Sequence, residues 1–353
     1  MKITNPAIPL DSTVVVIGAN GYVAQETVHK LLEVGYRVRG TVRDVERNAW
    51  LDKLFNDKFP GKFELVQVVN FETEGAFDEA FKNASGVIYV SVPVALNPDP
   101  AVAVEPIVKG VLNTLNSAAK FPTIKRFVLS SSSKAVESTV FDVPHKLTKD
   151  TFNTVEIEKV RNEPTELTPG RIGTAYSAGR ALSELALWDW VKEHKDNAPF
   201  VVNAVVPDAN FGRILDAEHV ATGAATSVGM FQRALRGERD GVLPWVGYLI
   251  DTQDTARLLV AALALPTIAS ERIFAFYLHY VWNDLRAKAR ELYPDRKDLV
   301  LGEDYDDIGR DIGDASEPIA RAEEILREVG QDGYTGLDSL VKDFVDTFYL
   351  KKL

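Results

Sequence analysis

Gly18, Gly21 and Ala24 stand as G-x-x-G-x-x-A directly after the β-branched run Thr13-Val14-Val15-Val16-Ile17. In that position two glycines let the main chain turn and approach a pyrophosphate, and the alanine lets the next helix pack closely on the strand. Free amides at the helix start, and the positive end of its dipole, then face the phosphates. Further on, Arg39-Gly40-Thr41-Val42-Arg43-Asp44-Val45-Glu46-Arg47 bears on which dinucleotide fits. An acid at the end of the second strand would accept from the ribose 2′-hydroxyl of NAD, whereas arginine there favours the 2′-phosphate of NADP. Arg43 and Arg47 can both face that phosphate, and Asp44 argues the other way. The balance points to NADP(H).

These residues need an alternating scaffold, and the chain reads as one. Strands are expected at Thr13–Ile17, Tyr36–Val42, Phe63–Val69, Gly86–Val92, Arg126–Leu129 and Phe200–Val206. Helices are expected between them at Val23–Val34, Gly75–Lys82, Val104–Lys120 and Tyr176–Lys195. Such alternation implies an α/β Rossmann fold with a doubly wound parallel sheet. Residues 141–172 are polar, carry Pro and Gly, and read as one long functional loop. The expected division is a nucleotide-binding domain over 1–210 plus about 242–262. A smaller, mostly helical substrate domain takes 211–241 and 263–353.

Composition closes off several other functions. The 353 residues are 46% hydrophobic and 26% charged, ordinary for a chain with a sizeable core. The net charge is −11, from 51 acids against 40 bases, with no basic stripe, so nucleic acid is not an expected partner. Acids gather in Glu303-Asp304-Tyr305-Asp306-Asp307 and again near Asp311 and Asp314, which reads as a solvated loop. The absence of cysteine excludes disulfides, thiolate metal sites and a cysteine nucleophile. Five histidines show no metal-ligand spacing, and no metal is expected. No run reaches the roughly 20 apolar residues of a membrane span, and Met1–Leu10 has no secretory pattern. A cytoplasmic protein, monomer or homodimer, is the expectation.

Several segments together carry a family resemblance. They are Gly18-Ala19-Asn20-Gly21-Tyr22-Val23-Ala24, the Arg39–Arg43 stretch, Lys125-Arg126-Phe127-Val128-Leu129-Ser130-Ser131-Ser132, Tyr176-Ser177-Ala178-Gly179-Arg180, Ala204-Val205-Val206-Pro207 and the Asp251–Ala256 region. The chain resembles, nearly end to end, the fungal NADPH-dependent aldehyde and ketone reductases among the extended short-chain dehydrogenase/reductases. It is similar also to plant dihydroflavonol and cinnamoyl-CoA reductases. Hydride delivery to a carbonyl leaves an alkoxide that needs a proton and hydrogen-bond donors. A tyrosine, with a free pKa near 10, is a suitable acid when a nearby cation lowers it. The resemblance implies Ser132 as the carbonyl holder and Tyr176 as the proton donor, though the run Ser130–Ser133 leaves the serine open by one position. The family's lysine is replaced by Arg180. Positions i and i+4 share a helix face, so Arg180 keeps the charge. A guanidinium, however, is larger, planar and does not release a proton at working pH.

The expected cofactor contacts are Gly18, Asn20, Gly21, Tyr22, Val23, Arg43, Arg47, Asn70, Phe71, Val92, Tyr176, Arg180 and Pro207. Other departures are Asp208 after Pro207, where the family has Asn or Gly, and Tyr89-Val90-Ser91, where it tends to His-x-Ala. In open α/β sheets ligands bind beyond the carboxyl ends of strands. That selects Val92, Pro93, Val94, Lys134, Ala135, Asn210 and Phe211 for the substrate, with Met230, Phe231 and Tyr248 closing over it. These are mostly apolar, which suits a hydrophobic or aromatic carbonyl compound. The expected activity is NADPH-dependent reduction of an aldehyde or ketone to the alcohol. Arg180 keeps open an NADP(H)-binding protein with weak or no redox turnover, such as a sensor, or a redox-neutral epimerase or dehydratase. An epimerase would need basic contacts for a sugar nucleotide; Arg233, Arg236 and Arg239 read instead as a solvated helix face.

Overall fold

The computed structural model describes residues 1–351 except 92–96, 98, 163–167, 224–225, 241 and 243–245. Seven strands build the main sheet: β1 (Thr13–Ile17), β2 (Arg37–Val42), β3 (Phe63–Gln67), β4 (Ala84–Tyr89), β5 (Arg126–Ser130), β6 (Val201–Pro207) and β7 (Arg272–Ala275). All pair in parallel, in the order β7-β6-β5-β4-β1-β2-β3. A sheet covered on both faces selects unbroken β-branched runs, and β1 shows why. Val14 and Val16 pack on one face with helices α1 (Tyr22–Val34) and α4 (Thr252–Ala264). Val15 and Ile17 pack on the other, with α2 (Glu105–Ala119) and α3 (Pro169–Glu193). The chain reverses direction across the sheet between β1 and β4, the switch point where such folds bind ligands.

A second lobe has three short strands, Ala209–Phe211, Gly247–Asp251 and Leu278–Tyr280. Helices Ser227–Leu235, Trp282–Leu292 and Leu337–Phe348 enclose its core of Phe211, Phe231, Tyr280, Trp282 and Phe344. The lobes are tied along α1. Tyr22 donates from its hydroxyl to the Gly212 carbonyl at 3.0 Å, and Arg213 pairs with the buried Glu26 at 2.5 Å.

Four readings from the sequence are corrected. Residues 141–172 are not one loop: they hold strand His145–Lys146, helix Thr154–Asn162 and the start of α3 at Pro169. The helix escaped notice because it shows no apolar stripe and buries only Ile157 and Glu156. Not all of 263–353 lies outside the nucleotide-binding lobe. Ile273 and Ala275 of β7, and Ala322, Ile325 and Leu326 of helix Ser316–Glu328, pack in the same core as β1. Strand β4 ends at Tyr89, three residues before the predicted end. The acidic C-terminal segment is not simply solvated. Asp311 is 3% exposed, and Asp304 pairs with Arg286 and Arg290 at 2.8 Å each.

Candidate active site

The phosphate loop is shaped by main chain rather than side chains. Gly18 sits at φ +80, donates to the Thr41 carbonyl at 3.1 Å, and leaves no space for a methyl group, which would lie 2.2 Å from Ser91 Cβ. Gly21 caps α1 with no side-chain bond, and the first turn holds no acid. Those free amides and the dipole fit an anion. Gly40 of β2 is equally tight: a Cβ there would meet Ala19 Cβ at 2.7 Å. Tyr22 and Val23 are half-buried at the helix start, and Asn20 is exposed.

Arg43 and Arg47 are exposed, with no ion pair engaging either among the described residues. The dissenting Asp44 is exposed, and its carboxylate accepts the Arg47 N–H at 2.9 Å within its own loop. Asn48 escaped the sequence reading. Buried at 8% exposure, it accepts from Asn20 Nδ2 at 3.0 Å and donates to the Asp44 carbonyl at 2.7 Å, joining the glycine turn after β1 to the loop after β2. No local signal announces an asparagine whose partner lies in another loop. Asn70 is exposed and closes its own turn on Glu72 N–H, while Phe71 is buried against Phe77 and Tyr89.

At the end of β5 the four serines take four different tasks. The Ser130 carbonyl accepts Arg180 Nη2 at 2.7 Å. Ser131 Oγ donates to Glu184 at 2.5 Å, and Ser133 Oγ donates to Asp208 at 2.7 Å. Ser132 is the one member of the run that is not buried; its Oγ accepts the Lys134 N–H at 3.2 Å and donates to no described residue. Tyr176 and Arg180 lie one turn apart on α3. Tyr176 is half-buried, and Arg180 is 3% exposed, its buried Nε unpartnered among the described residues. Tyr89 Oη, also buried and without a partner among the described residues, is pushed above the usual phenol range by burial, with the Arg180 charge opposing.

Beneath this site lies a charged pair that the sequence reading missed. Glu184 is fully buried and bonds Arg272 of β7 at 2.5 Å, and that guanidinium lies 4.0 Å over the Phe152 ring. Glu184 stands four residues after Arg180 on the same helix face, a spacing that could have flagged it.

Of the predicted substrate residues, Lys134 is half-buried and donates to Thr139 Oγ1 at 3.4 Å, and Met230 is half-buried beside the second core. The others are held in packing. Ala135 is fully buried with Ile157 and Ala178, and Phe211 with Phe231 and Trp282. Tyr248 donates to the Gly313 carbonyl at 2.5 Å, and Asn210 is bonded to Thr255 and to the Asp208 carbonyl. Pro207 pairs with Ala275 at the end of β6. Val92, Pro93 and Val94 lie outside the described residues.

Comparison with known proteins agrees with this geometry. The model of the NmrA-like family matches residues 10–221. Aldehyde reductase 2 of Sporidiobolus salmonicolor is 33% identical over 350 residues, covering 98% of each chain. The ketoreductase adrE of Penicillium rubens is 35% identical over 345 residues, covering 95% of this chain and 96% of its own. Gre2 of Candida albicans, solved in complex with NADPH, superposes with a TM-score of 0.80 at 24% identity, over 98% of this chain and all of its own, a likeness of fold. With a parallel Rossmann sheet, a glycine turn on β1 and full-length reductase relatives, the chain belongs to the NmrA-like family on the extended short-chain dehydrogenase/reductase fold.

Proposed function

We propose that this protein is an NADPH-dependent carbonyl reductase that converts an aldehyde or ketone, hydrophobic or aromatic in character, to the alcohol. The observation that carries the reading is Ser132: alone in its run it is not buried, and its hydroxyl donates to no described residue. Arg43 and Arg47 hold the 2′-phosphate, and the α1 amides hold the pyrophosphate. NADPH, when bound, supplies the hydride. Ser132 donates to the carbonyl oxygen, and Tyr176 gives the proton as negative charge develops there. Arg180 keeps a fixed positive charge one helical turn from Tyr176, in a buried setting where screening is weak. Because a guanidinium does not release its proton, the half-exposed Tyr176 recovers its proton from water. The aldehyde reductase and ketoreductase relatives support reduction of a carbonyl, and the half-buried Met230 offers an apolar contact for a hydrophobic one. A cysteine-free chain suits the reducing cytoplasm; among the described residues no helix is long and apolar enough to cross a membrane.

One observation favours a second reading, an NADP(H)-binding protein with weak turnover: Arg180 spends Nη2 on the Ser130 carbonyl. NADPH consumption with aromatic aldehydes and ketoesters separates the two. Turnover by the native chain, lost in Tyr176→Phe, upholds the reductase. Turnover only in Arg180→Lys upholds the second reading.

A further inference from the structure

Away from the serine–tyrosine pair, Glu137, His145 and Asp311 converge from three segments, with one donor atom from each within 4.8 Å of the others. The backbone pins them together. Phe141 bridges Asp311, and His145 pairs with Gly313 in a short parallel ladder. Glu137 follows the 3-10 turn Ser133–Ala135, its N–H donating to the Ser133 carbonyl at 3.0 Å. His145 Nδ1 lies 2.8 Å from the Val143 carbonyl oxygen, which can only accept, so Nδ1 carries the proton. In the neutral ring Nε2 is then a lone pair, and it faces Glu137 Oε2. A carbonyl that fixes the far nitrogen in this way is what orients metal-ligating histidines.

Three further observations point into the same space. His279 Nε2 is buried, has no hydrogen-bond partner among the described residues, and lies 3.9 Å from Asp311 Oδ1. Asp311 is 3% exposed, and its Oδ1 accepts from Gly313 N–H at 2.9 Å. Gly313 keeps the space open, since a Cβ there would lie 2.7 Å from His145 Nε2 and 3.2 Å from Asp311 Oδ1. The cation beside them, Lys134, is bonded to Thr139 and to none of these oxygens among the described residues.

We propose that Glu137, His145 and Asp311, with His279 beside them, bind one divalent transition ion of the zinc class. Carboxylate oxygens mixed with imidazole nitrogens suit Zn²⁺, whereas Mg²⁺ and Ca²⁺ prefer oxygen alone. Donors about 2.1 Å from zinc stand roughly 3–4 Å apart, so the ion takes the place of the Glu137–His145 hydrogen bond, parting these two half-buried donors while bringing them toward Asp311. Bound there, it staples the turn after Ser132 to the 141–146 segment and to the 311–314 ladder. Its role is structural, and it takes no part in hydride transfer.

The test titrates the EDTA-stripped full chain with Zn²⁺ by calorimetry and follows its thermal unfolding. The expected result is one equivalent bound and a raised Tm. Affinity falls at least about tenfold in Glu137→Gln, in His145→Gln and in Gly313→Ala, which keeps every ligand and fills the space. The metal-free Tm of each variant reports its folding, and if Gly313→Ala does not fold, the half-exposed His145→Gln decides. Three outcomes overturn the proposal: no heat and no Tm shift up to about 1 mM Zn²⁺, binding that these substitutions leave unchanged, or an equal response to Mg²⁺ or Ca²⁺.

Discussion

The two ends of the cofactor cleft are built on opposite plans. At the phosphate end the chain withholds side chains: Gly18, Gly21 and Gly40 bring backbone close, α1 begins without a side-chain cap, and Arg43 and Arg47 stand free in solvent. At the carbonyl end nearly every polar group is committed to another. Ser131, Glu184 and Arg272 form one buried chain, Ser133 and Asp208 a second contact, and Arg180 holds the Ser130 carbonyl. Binding a flexible dinucleotide asks for unpaired donors. Holding a reacting atom asks for side chains that cannot move, with one or two left uncommitted.

Substitutions at each end should therefore fail differently. The largest effect is expected from Tyr176→Phe, which removes the proposed proton donor and should lower kcat by about 10²–10⁴-fold. NADPH binding, followed by fluorescence, stays near native, and a parallel loss of binding would break the division between the ends. Glu184→Ala comes next. It strands the Arg272 guanidinium, 8% exposed, without its carboxylate, and a broken buried pair costs about 3–5 kcal/mol. Chemical unfolding measures this, and an unchanged midpoint would show that the carbonyl end is not held by its network. The double change Arg43→Ala, Arg47→Ala should leave stability alone and raise KM for NADPH about 10- to 100-fold, with KM for NADH unmoved.

The smallest effect sits on α1. Burial holds His29 down to about 4, so the folded state keeps the ring neutral while the unfolded chain takes a proton near 6.5. Between those values the unfolded state binds more protons, so stability present at neutral pH is lost as pH falls through that window. The Glu33 carboxylate, 3.6 Å away and itself partly exposed, favours the protonated ring and holds the loss to about 1–2 kcal/mol. Unfolding curves at pH 7 and pH 4.5 should converge for His29→Gln relative to the native chain.

The same contrast explains what the sequence could reveal. The alternation of apolar runs foretold the six strands β1–β6 and the parallel sheet, because a strand buried on both faces writes its burial into consecutive residues. The glycine turn was equally legible, since the positive φ of Gly18 and the contact with Ser91 leave room there for glycine alone. The carbonyl end was legible only where one element carries the chemistry, as α3 does for Tyr176 and Arg180. Glu184 and Arg272 are 88 residues apart, and Asn20 and Asn48 occupy different loops; no local pattern joins them. The apolar character of Ala135 and Phe211 was read correctly, but apolar residues just past a strand end can line a pocket or fill a core, and these fill a core.

The run Ser130–Ser133 looks like the least informative stretch of the chain, four copies of one small residue. Its neighbours read each copy differently: as a carbonyl for Arg180, a hydroxyl for Glu184, a free proton, and a hydroxyl for Asp208. In evolutionary terms the repeat is therefore incompressible. Deleting or duplicating one serine, an easy slip in a repetitive stretch of DNA, would leave the composition almost untouched. It would hand every task to the wrong residue.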